Sequence, residues 1–478
     1  MKLNITISLM LLTNLALAQT INFWQDISET EIVLPREAVK EVKASEYRAL
    51  SLELAYLQVA LRNAPLEFSA AAKNKPLRVV LPLPDGTSET FEVVESPIME
   101  PGLAARYPNI KTYKGRSVND RAVMARFGHS DLGFHAVIKT AQGQVYIDPL
   151  VKNYTQYYQA YYTKNAIEED TPMEFSCGTP SPTEVLEYEE KSLEDNELLK
   201  PRSATPVNLY TYRLAVTTSG EFAQRFGATT KAQVMMNVVN ILNKANAVFE
   251  TDVAIRLVLV ANTDTAFFLD AASDPFTDGS SITAVYQQVA AVLDANIGMN
   301  NYDVGHALIG GCGSGTVGIG GGDVCNNNGI NTGQYKGFGA SCIFSINVSS
   351  IEIFAHELGH QFSAQHTWSN CPGSEGQLAS GSAYEPGGGT TIMSYTNACG
   401  NQTVQSNADA YFHTKSLQEI ISYSRAGAGS SCASISQTNN DEPEVALNYK
   451  NNFYIPIRTP FELNASATDV NNDPLTYC

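Results

Sequence analysis

The stretch Ile351–Trp368, IEIFAHELGHQFSAQHTW, carries His356, Glu357, His360 and His366 as H-E-x-x-H with a further His six residues on. A helix starting near Ile351 sets His356 and His360 one turn apart on one face, where two imidazoles can share one metal ion. Glu357 then lies beside them, within reach of a water held at that ion. A straight helix would carry the third imidazole away, so the spacing predicts a turn after about Phe362 that brings His366 back. Three His leave one position open, whereas a structural zinc site is usually closed by a fourth protein ligand. With seven His in 478 residues, these offsets arise by chance on the order of once in ten thousand.

The pattern resembles the zinc motif of the metzincin metallopeptidases, H-E-x-x-H-x-x-G-x-x-H. It departs at one position, where Ser363 stands for the family's Gly. The turn there favours a left-handed backbone, which costs a residue with a Cβ roughly 1 kcal/mol. Downstream, Thr391-Ile392-Met393-Ser394-Tyr395 resembles the Met-turn that lies beneath the three imidazoles. The resemblance implies Zn2+ on His356, His360 and His366, with Glu357 as general base and Met393 as support from below. Tyr395 matches the Tyr that some metzincin families bring to zinc or to the reacting oxyanion. His413 reads as a capping or surface His rather than a fourth ligand.

Outward from this stretch, residues 1–18, MKLNITISLMLLTNLALA, read as a secretory signal peptide: Lys2, an apolar centre and a small-residue site at Ala16–Ala18. The net charge of -18 argues against nucleic acid and anionic membranes as partners. No other run is long and apolar enough to span a bilayer. Eight Cys suit an oxidising, extracellular compartment. Sequons at Asn153, Asn347, Asn401 and Asn464 are glycan acceptors where the host glycosylates.

Residues 19–202 carry no metal motif. Segments 77–82, 89–95, 122–127, 134–139 and 144–148 are rich in Val, Ile and Phe and separated by turn residues, which predicts a mainly β unit after a helix over Ala38–Arg62. A Tyr-rich run (Tyr154–Tyr162) and an acidic linker (Glu184–Glu197) lead to Leu199-Lys200-Pro201-Arg202. A basic site at the end of such a linker invites processing after Arg202, so the region reads as a propeptide. Cys177-Gly178 resembles the cysteine switch of metzincin propeptides, whose thiolate takes the open zinc position.

From Val207 a strand over Leu209–Val216, a helix over Thr230–Phe249, a strand over Val253–Val260, a helix over Ser281–Ile297 and a strand over Val304–Ile309 alternate, giving an α/β sheet. This order is similar to the upper subdomain of the reprolysin-like (adamalysin) metzincins. In the Gly-rich stretch after it, the absence of G-K-[ST] excludes a phosphate loop, and Thr316–Val324 is the expected cleft edge for an extended peptide. Cys312, Cys325, Cys342, Cys371, Cys399 and Cys432 allow up to three disulfides in fifteen pairings. Tyr411–Arg425 reads as a closing helix. Ser434–Glu444 reads as a linker, and residues 445–478 as the incomplete start of an immunoglobulin-like or cadherin-like module, where Asp469 and Asp473 could serve Ca2+.

The sequence thus predicts an α/β metzincin catalytic domain (203–433) after a mainly β propeptide. The chain reads as a secreted zinc endopeptidase made as a zymogen, with extended peptide or protein substrates and its own propeptide as inhibitor. The competing class is a secreted binding or adhesion protein with a structural zinc site.

Overall fold

Alternating apolar residues build the first layer. Val79 faces Phe91 and Leu77 faces Val93 across antiparallel strands Leu77–Pro82 and Ser88–Glu95, with Val79, Phe91 and Val93 fully buried. The same pattern continues through a nine-stranded sheet in the order Trp24–Asp26, Arg48–Leu52, Tyr157–Tyr162, Gly143–Pro149, Gly133–Thr140, Met124–Ser130, Lys111–Ser117, Ser88–Glu95 and Leu77–Pro82. The computed structural model describes residues 22–34, 38, 40, 43–152, 154–167, 176–179, 206–312, 315–328, 335–346, 348–447, 454–462, 464–473 and 475. The signal peptide, the sequons at Asn153 and Asn347, the acidic linker, the Arg202 site and Cys478 lie outside them.

Two expectations for this region need correction. The helix expected over Ala38–Arg62 is confined to Leu54–Leu61, and Arg48–Leu52 is a strand. Partners on both edges, Trp24–Asp26 and Tyr157–Tyr162, bury Leu50 and Leu52 and override the helical bias of an Ala- and Leu-rich run. The Tyr-rich run is not a connection after the β unit, because Tyr157–Tyr162 lies inside the sheet.

The second sheet has the order Ser176–Cys177, Thr316–Ile319, Ala340–Cys342, Val304–Ile309, Pro206–Thr218 and Ile255–Leu259. Its inner pairs are parallel, and Thr316–Ile319 runs antiparallel to Ala340–Cys342. Ser434–Asp441 is a strand antiparallel to Pro206–Thr211 rather than the expected linker. Its polar sequence hid this, because pairing with a strand already anchored in the core needs no apolar face of its own. Beyond it, Glu444–Leu447 and Ala465–Thr468 pair as a small antiparallel sheet. Asp473 binds Arg116 at 2.6 Å and Arg121 at 3.1 Å.

Helix Lys231–Val253 joins the two layers. Thr230 and Gln233 form a capping box at its start, and its apolar face fills the core beneath the second sheet with Val234, Val238, Ile241, Leu242, Ala245 and Phe249. Its other face is polar yet buried against the nine-stranded sheet. There Lys244 pairs with Asp148 at 2.6 Å, and Glu250 with Arg126 at 2.6 Å. The backbone continues the junction, with Leu259 N–H donating to Ile98 O and Glu100 N–H to Leu259 O, both at 2.9 Å.

Candidate metal centre

Helix Val348–Gln361 carries His356, Glu357 and His360 on its buried side. It stops where the spacing predicts. Ser363 N–H donates to His360 O at 2.8 Å and Ala364 N–H to Gly359 O at 3.0 Å, with Ser363 at φ 76°. This is a Schellman closure with a Ser in the left-handed position usually given to Gly. The chain then turns back, and His366 returns to the other two imidazoles.

Each ring is oriented by a main-chain carbonyl on Nδ1: Ile392 O for His356 at 2.7 Å, Ala364 O for His360 at 2.8 Å and Gln377 O for His366 at 2.9 Å. Nδ1 therefore carries the proton on all three, and the bare Nε2 lone pairs converge. His360 Nε2 lies 3.2 Å from His356 Nε2 and 3.1 Å from His366 Nε2. With Zn–N bonds of about 2.05 Å, a tetrahedral edge is about 3.3 Å. Three converging lone pairs repel unless a cation sits among them, so the donor set fits a zinc ion. Burial pushes His356 down to about 4 and His366 down to about 3, against the pull of their carbonyls, and lowers His360 well below its usual value. The rings are neutral, the form that binds metal.

Cys177 Sγ joins the three nitrogens, all four atoms lying within 4.8 Å of one another. No other such cluster occurs among the described residues. Strand Ser176–Cys177 runs parallel to Thr316–Ile319, with Ser176 N–H donating to Gly315 O at 3.0 Å and Gly178 N–H to Gly318 O at 2.7 Å. Glu357 Oε2 accepts from the Cys177 thiol at 3.4 Å and from Thr179 Oγ1 at 3.5 Å. Its Oε1 is buried without a hydrogen-bond partner among the described residues, which leaves one carboxylate oxygen for a further molecule. Burial pushes the Glu357 carboxyl up to about 8, while Cys177 and Thr179 pull it back. Burial, then the nearby Glu357, hold the Cys177 thiol well above its usual range. A dication at the imidazoles acts oppositely on both groups.

Strand Thr316–Ile319, the first part of the expected Thr316–Val324 and paired on its outer side with Ser176–Cys177, crosses directly over helix Val348–Gln361. A Cβ on Gly318 would sit 2.1 Å from Glu357 Oε1, and one on Gly320 2.2 Å from Glu357 O. Only glycine permits this approach. Met393 is fully buried below the rings, and a Cβ on Gly359 would meet its Sδ at 2.5 Å. Tyr395 is fully buried, its ring centroid 4.8 Å from that of His366. His413 caps the Thr414–Arg425 helix through Nδ1, which accepts from Lys415 N–H at 3.1 Å. The disulfides are Cys312–Cys342, Cys325–Cys432 and Cys371–Cys399, and Cys177 is in none.

Sequence reasoning missed four residues. Gln377 holds His366 with its carbonyl, while its side chain contacts both Tyr395 and Cys177. Glu385 braces the Met-turn by accepting from Thr391 Oγ1, Thr390 N–H and Thr391 N–H. Gln361 ties the metal helix to the sheet through His306 and Gly305 O. Thr179 links Glu357 to Gly320 N–H. Gln361, Gln377 and Thr179 act through contacts distant in sequence, and Glu385 through an irregular turn, so no regular spacing signals them.

Three converging imidazoles on a helix and its return, beside a glycine-rich strand, form a site suited to a metal-dependent hydrolase. Residues 209–424 match the metallo-peptidase family M12B, reprolysin-like. That region is similar to the reprolysin-like metallopeptidases, and the match makes the chain a zinc metalloendopeptidase. A solved structure of metalloproteinase-II from Bacteroides fragilis is similar over 76% of this chain and 96% of that chain, at 11% identity and a TM-score of 0.40. No curated protein matches the sequence. Among the described residues no helix is long and apolar enough to cross a membrane.

Proposed function

We propose that this zinc endopeptidase is secreted as a zymogen, with residues 1–18 as signal peptide, 19–202 as propeptide and a catalytic domain from 203 that takes in the Ser434–Asp441 strand. The observation that carries the reading is Cys177 Sγ beside the three bare imidazole nitrogens, on a strand added to the sheet edge. That strand occupies the path an extended peptide needs, so its departure opens the groove and the metal together.

His356, His360 and His366 hold the ion as neutral rings. When bound, zinc supplies positive charge that polarises a scissile carbonyl and makes a nearby water more acidic. Glu357 takes the proton of the attacking water and hands it to the leaving amine. The buried wall around it excludes bulk water and strengthens each polar contact. Tyr395, whose hydroxyl proton rests on Gln377 Oε1 in the closed state, turns that proton to the carbonyl oxygen as negative charge develops there. Met393 supports the rings and does no chemistry. In the closed state Cys177 keeps a water from Glu357 by occupying its hydrogen-bonding face.

Incubating the full chain with a denatured protein such as casein, with and without a chelator, followed by mass spectrometry, tests the reading. Chelator-sensitive fragments, with self-cleavage near Arg202, are expected. Glu357→Ala should keep one equivalent of zinc and lose turnover by about 10²-fold or more. A zinc-loaded chain already cut at Arg202 that cleaves nothing would sink the proposal and favour the binding protein.

A further inference from the structure

The Cys177 segment is held along both of its edges. On one side, Ser176 and Gly178 N–H donate to the Gly315 and Gly318 carbonyls. On the other, Cys177 N–H donates to Tyr395 Oη at 3.1 Å, and Cys177 O accepts from Gln377 Nε2. The two side chains are themselves joined, Tyr395 Oη donating to Gln377 Oε1 at 2.8 Å. This is the alternation of an extended strand, in which every second residue turns its N–H and C=O to the same side. Gln377 and Tyr395 thus present one acceptor and one donor in the manner of a neighbouring strand. Neither position is left to chance. The Gln377 carbonyl is tied to His366 Nδ1 at 2.9 Å, and the Cys371–Cys399 disulfide closes the loop that bears it.

We propose that Gln377, together with Tyr395, grips the backbone of the substrate peptide at the residue lying over the metal, opposite the Thr316–Ile319 edge. The proposal rests on the reading of the Cys177 segment as an occupant of the substrate groove. Whichever way a substrate runs, an extended residue at that point offers an N–H and a C=O to the same wall. The grip reads main chain and not side chain, so it positions the scissile residue without selecting its type. Gln377 thereby acts as a substrate-positioning residue, while Glu357 remains the base.

The test uses the full chain, zinc-loaded and nicked by limited trypsin digestion, with an internally quenched peptide as substrate. Gln377→Glu keeps the size and the acceptor for Tyr395 but removes the Nε2 donor. Gln377→Met removes both without adding charge. Both variants should keep one equivalent of zinc and raise KM about 10-fold or more, with kcat within about 3-fold of wild type. In the unnicked chain the Cys177 thiol should react with a thiol reagent about 10-fold faster. Faster thiol reaction with an unchanged KM would show that the pair grips only the chain's own segment, and would overturn the proposal. So would a fall in kcat at constant KM, or no change in either readout. Absence of chelator-sensitive turnover in nicked wild type would remove the underlying reading, and that is seen before any variant is compared.

Discussion

Neutralising Glu250 as Glu250→Gln is the severest test of how the two layers are held. The Glu250 side chain is 2% exposed and receives Arg126 Nη2 at 2.6 Å, Arg256 Nη2 at 3.0 Å and Lys114 Nζ at 3.1 Å. Arg126 belongs to the nine-stranded sheet, Glu250 to the helix beneath it and Arg256 to the catalytic sheet. Arg256 would keep Glu67 at 2.7 Å, but Arg126, 3% exposed, would keep only neutral partners, Asn243 and Ser96. Orphaning a buried charge in this way costs about 3–5 kcal/mol. Burial alone would raise the Glu250 carboxyl, but Arg126, Arg256 and Lys114 overcome this and hold it well below 4.5. Glu67 is lowered in the same balance by Arg256 and Lys114. A carboxylate depressed in the folded state contributes stability that is present above the unfolded value near 4.5 and lost as pH falls through the folded value. Acid below about pH 4.5 should therefore loosen the layers, and Glu250→Gln should flatten that dependence. Urea unfolding can be followed at Trp24 in the first sheet and Trp368 beside the metal centre through single-Trp variants. Adding Arg126→Met to Glu250→Gln should recover at least about half of the loss, because no buried charge is then orphaned. A loss under about 1 kcal/mol for Glu250→Gln alone would refute the account of the junction.

The remaining predictions concern the site. Gly318→Ala should fold and keep zinc, because the three atoms nearest its new Cβ all belong to the Glu357 side chain, Oε1 at 2.1 Å, yet lose about 10²-fold or more in turnover; kinetics with metal analysis would check it. Ser363→Gly, relieving φ 76°, should raise the unfolding free energy by about 0.5–1 kcal/mol, with destabilisation in urea melts as the contrary result. Cys177→Ser removes the thiolate that zinc prefers, so the intact chain should process itself and turn over peptide at least about 10-fold faster than wild type; equal latency would dismiss Cys177 as the inhibitory group.

Much of the metal centre was legible because its parts are local. His356, Glu357 and His360 share one helix turn, and His366 returns within six residues, so side-chain spacing alone encodes where they meet. The Met-turn and the even Cys count were readable for the same reason, though the disulfide pairing was not. The strand periodicity of segments such as 77–82 and 134–139 also needed no neighbours to be recognised. Tertiary structure decided everything that depends on a partner distant in the chain. Arg48–Leu52 became a strand because two edges awaited it, and Ser434–Asp441 joined the catalytic sheet despite its polar sequence. Asn243, Lys244 and Glu250 look like the wet face of a helix until a second sheet covers them. Gln377 is an unremarked loop residue until folding sets it between Tyr395 and Cys177. Local spacing determines which groups can act together on one element, whereas desolvation and pairing across elements depend on packing, which only the folded chain supplies.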